Sequence, residues 1–343
     1  MRIAPSWTLA AAAAVTALSS AQAAPASKLD VMLSTATPVL RGDVDVTVDV
    51  TVTNRWKHAV TVPSSQLPGD DPDTKLFAIT RDGMAVDYKG AIVKRSAAQP
   101  GETVTIQPGA SLTYQVELTG SYDLAADGRY SIEYTGLAKN GGAGANTAPM
   151  YLWLEGRSAK AAARPAPPPS GVSLSYTGNC SASQQGAIAT AVQNALGYAT
   201  SARDYLNAHS SATQRYTTWF GSQYATGGPI VYDHFVKETD AFANKPITVD
   251  CKCKKANVYA YVYPSQPYKI YVCGAFWAAP ALGTDSKAGT LIHEMSHFTV
   301  VAGTDDWAYG QANAKALAIS DPAKAIDNAD SHEYYAENTP ALP

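Results

Sequence analysis

Hydrophobic and polar positions divide this chain into two parts with different periods. Val44, Val46, Val48, Val50 and Val52 alternate with Asp and Thr. Leu112, Tyr114, Val116 and Leu118 repeat the alternation, as do Val104 with Ile106 and Tyr130 with Ile132 and Tyr134. A period of two buries one face of a strand and wets the other. Gly, Pro and Asp turns separate these runs between about Lys28 and Arg157, so an all-β, immunoglobulin-like sandwich is expected there. Further along, Ile188, Val192 and Leu196 lie four apart, the spacing of a helix that Ser181 or Ser183 would cap. A second helix is expected around Ile230 to Phe242. Tyr- and Val-rich strands are expected at Ile247 to Cys253, Val258 to Tyr263 and Lys269 to Phe276. A helix through Leu291 and Ile292 follows, then shorter ones after Tyr309 and around Asp330. Helices, a small sheet and further helices make an α+β order.

Between the two parts the composition breaks. Ser158 to Gly171 contains Ala161-Ala162-Ala163-Arg164-Pro165-Ala166-Pro167-Pro168-Pro169, an extended, poorly packing linker open to proteolysis. At the start, Arg2, the alanine-rich apolar run Trp7 to Leu18 and Ala21-Gln22-Ala23 read as an export signal with its cleavage site. The expected organisation is a signal peptide over 1–23, a β-sandwich over 24–157, the linker over 158–171 and an α+β domain over 172–343.

A net charge of −3 with 16% charged residues gives no electrostatic case for nucleic acid or an anionic membrane. No later stretch reaches transmembrane length, so a secreted, soluble protein is expected, and it is expected to be a monomer. The four cysteines, Cys180, Cys251, Cys253 and Cys273, all lie in the second part. In an exported chain they point to disulfides, with a cysteine metal site as the weaker reading. Cys251 and Cys253 stand one residue apart, too close to pair with each other without strain.

The candidate chemistry lies in His293-Glu294-Met295-Ser296-His297. Two histidines four apart leave one face of a helix one turn apart and can grip one zinc ion. Glu294 would reach a water at that metal as general base. Leu291, Ile292, Met295, Phe298, Val300 and Val301 suit a buried helix that Gly303 would end. A third ligand must come from the returning chain. Asp306, nine residues past His297, is the first candidate, and its neighbour Asp305 is a rival that spacing cannot exclude. Tyr309, one turn on, could donate to a developing oxyanion, or be a core tyrosine. Asp330 and Glu333, three apart, would put two carboxylates on one side of a helix, or form a capping box with Asp330 as cap. His332, His58, His209 and His234 read as structural or surface residues.

His-Glu-x-x-His followed by Gly303-Thr304-x-Asp306-x-x-Tyr309-Gly310 resembles the signature of the aspzincins, the deuterolysin and peptidyl-lysine metalloendopeptidase family. The resemblance runs from near Val172 to the end, through the cysteines and the stretch Asn328 to Asn338. It extends to bacterial secreted, toxin-like members associated with virulence. It implies a zincin-like metalloprotease fold and one zinc per chain, held by His293, His297 and Asp306. Glu294 would be the base, Tyr309 the transition-state stabiliser, and the disulfides Cys180–Cys251 and Cys253–Cys273. In lysine-specific relatives an aspartate and a glutamate at this spacing line the pocket for a substrate lysine. That implies protein or peptide substrates cut on the N-terminal side of lysine, with Asp330 and Glu333 binding them.

The first domain then reads as a propeptide that inhibits the enzyme or assists its folding. Release would come at the linker, near Lys160 or near Gly171-Val172. A retained adhesion or carbohydrate-binding module is the alternative for that domain. For the whole chain, the alternative is a non-catalytic secreted binding or adhesion protein with a vestigial metal site.

Overall fold

The computed structural model describes residues 27–69, 74–96, 101–141, 145–158 and 173–343. The expected signal peptide, the linker beyond Ser158 and both expected processing points lie outside these residues.

The first part is built of strands: β1 (Leu29–Ser34), β2 (Val39–Arg41), β3 (Thr47–Asn54), β4 (Val60–Pro63), β5 (Phe77–Arg81), β6 (Met84–Ala85), β7 (Ile92–Arg95), β8 (Thr103–Ile106), β9 (Ser111–Glu117), β10 (Gly128–Tyr134), β11 (Ala145–Thr147) and β12 (Met150–Glu155). One sheet runs β11-β1-β3-β9, a second runs β2-β12-β10-β5-β6, and β4 pairs with β8. The valine alternation works as a strand period. Val48, Val50 and Val52 of β3 are buried, with Thr and Asp between them partly exposed. They meet Leu29, Ile79, Tyr130, Ile132, Leu152 and Leu154 in one core shared by the two larger sheets. Val44 lies outside the strand and is exposed.

The second part is α+β. Its elements are β13 (Ser173–Thr177), α1 (Ala182–Ala208), α2 (Gln214–Phe220), α3 (Tyr224–Asn244), β14 (Pro246–Asp250), β15 (Val258–Val262), β16 (Lys269–Val272), α4 (Gly274–Ala278), α5 (Lys287–Ser296), α6 (Gln311–Ser320), α7 (Pro322–Ile326) and α8 (Ala329–Glu337). Ser181 caps α1 through a capping box with Gln184. The buried face of α1 is mostly small: Ala191, Ala195, Ala199 and Ala202 pack with Ile188 and Leu206. This lets α3 and α5 lie close against it. Three elements depart from the expected order. β13 and α2 are additional, and the third expected strand stops at Val272, so Phe276 lies in α4.

The sheet of the second part has the order β13-β14-β16-β15-β7. β13, β14 and β16 run parallel, and β15 is antiparallel to β16. Its outermost strand, β7, comes from the first part and pairs antiparallel with β15. Of its four residues, Ile92, Val93 and Lys94 are buried and Arg95 is partly exposed. Cys180 is bonded to Cys251 and Cys253 to Cys273. The first bridge ties the entry of α1 to the end of β14, and the second ties the loop before β15 to the start of α4. Among the described residues no helix is long and apolar enough to cross a membrane.

Candidate active site

The site grows from the contact between α5 and α8. Ser286 caps α5, its hydroxyl accepting the Gly289 N–H at 2.9 Å. Glu337 of α8 accepts from the Ser286 N–H at 2.9 Å and from its hydroxyl at 2.8 Å. Glycine at 289 leaves room for this approach, since a Cβ there would stand 2.0 Å from a Glu337 oxygen and force that side chain to shift. Along the same face, His293 and His297 present their rings with centroids 4.8 Å apart. His297 Nδ1 donates to the Thr304 carbonyl at 2.8 Å, which turns its Nε2 inward.

The chain returns differently from the expectation. The helix stops at Ser296 with His297 as its C-cap. Gly303, at φ +66°, therefore reverses the turn that follows the helix and does not end the helix itself. Val300, expected inside, is half exposed in that turn. Beyond it, the Asp305 N–H donates to the Asp327 carbonyl at 2.7 Å and the Ala329 N–H to the Asp305 carbonyl at 3.1 Å. The Asn328 side-chain oxygen accepts the N–H groups of Trp307 and Ala308, each at 2.9 Å. Residues 305 to 308 are thereby fastened to the start of α8.

This clamp separates the two neighbouring aspartates. Asp306 Oδ1 lies 3.2 Å from His293 Nε2 and 3.5 Å from His297 Nε2. Asp305 faces elsewhere, accepting the Asp306 N–H at 2.8 Å and pairing with Lys75 at 2.8 Å. One donor atom from each of His293, His297 and Asp306 lies within 4.8 Å of the others, and all three residues are buried. Two imidazole nitrogens and one carboxylate oxygen suit a zinc ion that keeps a fourth position open. His297 Nε2 and both Glu294 carboxyl oxygens are buried with no hydrogen-bond partner among the described residues, as a cation site with an adjacent base requires. Burial pushes the Glu294 carboxyl up to about 8 and the His297 imidazole down to about 4. The residues present therefore fit zinc. Tyr309 completes the group. Its hydroxyl lies 2.6 Å from Asp306 Oδ2 and 2.8 Å from the Val93 carbonyl oxygen, so one proton serves two acceptors.

Asp330 and Glu333 lie beneath His293 on α8. The N-cap of that helix is Asn328, with no side-chain cap, so the capping-box reading of Asp330 does not hold. Asp330 Oδ1 is 2.8 Å from His293 Nδ1, and its Oδ2 accepts the Gly310 N–H at 2.6 Å. Between the two carboxyl groups sits an ammonium that sequence reasoning missed. Lys94 Nζ lies 3.1 Å from Asp330 Oδ1 and 2.5 Å from Glu333 Oε2, in a side chain 2% exposed. Tyr259 and Tyr334 face it, with ring centroids 5.4 and 5.9 Å away. Burial alone would lower the Lys94 ammonium, but Asp330 and Glu333 hold it well above the ordinary lysine value. The only sequence signal was weak: Ala91-Ile92-Val93 is an unbroken apolar run, which marks a strand buried on both faces.

His332 points away from the cradle. Its Nδ1 donates to the Asn328 carbonyl at 3.1 Å and its Nε2 meets His234 Nδ1 at 3.0 Å, among Phe220 and Phe235. Burial drives His234 down to about 4 and His332 to about 3.

The family described as Lysine-specific metallo-endopeptidase matches residues 205–337. An extracellular protease of Aeromonas hydrophila is 43% identical over 312 residues, covering 87% of this chain and 89% of that protein. A peptidyl-Lys metalloendopeptidase of Pleurotus ostreatus is 52% identical over 164 residues, which is 48% of this chain and 96% of that one. Among solved structures, the zinc peptidase from Grifola frondosa has 50% sequence identity, covers 48% of this chain and 100% of its own, and has a TM-score of 0.46.

Two outcomes follow. Metal analysis by mass spectrometry after zinc exposure and desalting should find zinc in wild type and at least about tenfold weaker retention in Asp306→Ala. Asp305→Ala should retain it, and the reverse ranking would contradict the geometry. The histidine pair sets a pH dependence. Both folded pKa values lie below the ordinary 6.5, so the neutral pair contributes stability above about pH 6.5 that is lost as pH falls towards 4. The urea midpoint should drop over that window, and drop less in His234→Gln. An equal drop in both proteins would remove the pair from the account.

Proposed function

The chain is a zinc metalloendopeptidase of the aspzincin family, and from that premise we propose that it hydrolyses peptide bonds on the N-terminal side of lysine after secretion as a zymogen. The carrying observation is the convergence of His293, His297 and Asp306, with Glu294 following the first ligand and Tyr309 behind the third. In this reading those three residues hold one zinc per chain, which when bound supplies Lewis acidity that makes water a nucleophile at neutral pH.

Every other part of the chemistry falls to the chain itself. Glu294, buried and with no hydrogen-bond partner among the described residues, accepts the proton of the attacking water and returns it to the departing amine. Tyr309 donates to the carbonyl oxygen as charge develops there. Asp306 orients that phenol through its second oxygen while facing the imidazoles with its first. Asp330 holds the far nitrogen of His293 in place.

The lysine preference is supported by the pocket between Asp330 and Glu333, which already accommodates a lysine ammonium. It is supported too by the relatives whose names record peptidyl-Lys cleavage. Two carboxyl groups in a dry pocket reward a cation there far more than they would in water. The extracellular relative from Aeromonas supports export. We read the first part as an immunoglobulin-like propeptide, because its strand β7 pairs with β15 of the second part. An intact base and oxyanion donor, together with protease relatives, disfavour the non-catalytic binding reading.

Processed enzyme should cut a denatured protein so that new N-termini begin with lysine, read by mass spectrometry. Glu294→Gln should lower kcat by about a thousandfold. Glu333→Gln should lose roughly a hundredfold in kcat/KM on lysine peptides, the cost of one carboxylate partner of a buried ammonium, about 3 kcal/mol. Cuts scattered without regard to lysine would remove the specificity reading, and undiminished turnover in Glu294→Gln would remove the mechanism.

A further inference from the structure

Asp285 is the last residue of the loop between α4 and α5, directly before the α5 cap, Ser286. Its backbone is left-handed, at φ +50°, a conformation that few residues besides glycine, asparagine and aspartate take at little cost. Two bonds hold it there. Its N–H donates to Glu337 Oε2 at 3.2 Å, and its Oδ1 accepts the Tyr334 hydroxyl at 2.7 Å. The same Oδ1 lies 3.9 Å from Lys94 Nζ, the ammonium seated between Asp330 and Glu333. Asp285 lines a cavity of about 690 Å³ together with Tyr309 and Asp330. Its side chain is 41% exposed, whereas those of Asp330 and Glu333 are buried.

We propose that Asp285 is a third recognition carboxylate for the substrate's lysine, reaching the ammonium from the cavity side and adding to the enzyme's affinity for it. The proposal rests on the reading of Asp330 and Glu333 as the pocket for that lysine. It goes beyond that reading by adding a residue from a different element, with a different task.

The chemistry of an ammonium calls for such a partner. It carries three N–H donors, and two carboxyl groups answer only two of them. Those two are also engaged elsewhere. His293 Nδ1 lies 2.8 Å from Asp330 Oδ1 and 3.5 Å from Glu333 Oε2, and Asp330 Oδ2 accepts the Gly310 N–H. Their attraction is thus shared between an imidazole and the lysine, while Asp285 meets the ammonium from outside that arrangement. Burial would lower the Lys94 ammonium, and Asp330, Glu333 and then Asp285 hold it well above the ordinary lysine value. At 3.9 Å the contact is an ion pair and not a direct hydrogen bond, so it acts by Coulomb attraction. Partial exposure makes that attraction weaker than in the dry pocket, and sensitive to salt. Asp285 therefore draws the cation in, and the two buried carboxyl groups fix its position.

The test uses the zinc-loaded enzyme in its secreted, processed form and a quenched-fluorescence octapeptide with one central lysine. Asp285→Asn keeps the left-handed backbone, the bond to Glu337 and an oxygen for Tyr334, and removes only the charge. It should lose about fivefold in kcat/KM, through KM, with kcat within about twofold of wild type. Raising salt from about 0.02 to about 0.5 M should lower kcat/KM in wild type and much less in Asp285→Asn. Asp285→Glu, which restores the charge, should restore the salt response. Tyr334→Phe, which removes the orienting hydroxyl, serves if the variants at 285 fail to fold, and should raise KM about twofold. Thermal melts check each protein. A wild-type KM and salt response in Asp285→Asn would overturn the proposal, as would a loss confined to kcat, the mark of a structural role. Glu333→Gln tests the underlying reading separately. A loss there beside an unaffected Asp285→Asn sinks the proposal alone, and no loss in either variant sinks the pocket assignment with it.

Discussion

The close seating of α8 against α5 is the constraint on which the site depends. It is possible because Gly289 carries no side chain where Glu337 approaches. That approach lets one helix cap the other and brings Asp330 within 2.8 Å of His293. The first residues of α8 also hold the returning loop, through Asn328 and the backbone of Asp327 and Ala329. A methyl group at position 289 would press on Glu337 and Glu333, and so on the seating that His293 and Asp330 share. The candidate metal ligands, base and paired carboxyl groups thus gather around one helix pair. Several are held by a neighbour, as buried polar groups usually are, whereas the Glu294 oxygens have no hydrogen-bond partner among the described residues.

Charge balance extends that dependence beyond the second part. Six ionisable groups, His293, Glu294, His297, Asp306, Asp330 and Glu333, are buried where α5, its following loop and α8 meet. An excess of carboxyl groups in such a space is costly unless cations enter it. His293, His297 and Asp306 could hold one, and Lys94 from the distant strand β7 supplies another. The first part of the chain thus contributes more than a neighbouring surface, since its lysine completes the electrostatics of the second.

Much of this was legible in the sequence wherever a local period carries the information. The valines of β3 follow the strand rule, and His293 with His297 follow the helix rule. What was not legible depends on contacts between distant residues. Asp305 and Asp306 cannot be told apart by spacing; their fates are set by a backbone bridge to residues 327–329 and by Lys75. Asp330 and Glu333 carry the pattern of a capping box, yet Asn328 takes the cap because the loop is fastened there. Gly303 reads as a helix stop, but the helix has ended earlier so that His297 can anchor to Thr304. Lys94 lies 236 and 239 residues from Asp330 and Glu333, and the pairing of β7 with β15 brings it in.

The central claim is that two imidazoles and one carboxylate hold a single zinc ion with a position left for water. X-ray absorption at the zinc edge on the zinc-loaded chain tests this directly. The account predicts two imidazole nitrogens and light oxygen scatterers at about 2.0–2.2 Å, with no sulfur at about 2.3 Å. A spectrum containing thiolate sulfur, or fewer than two imidazoles, would contradict it.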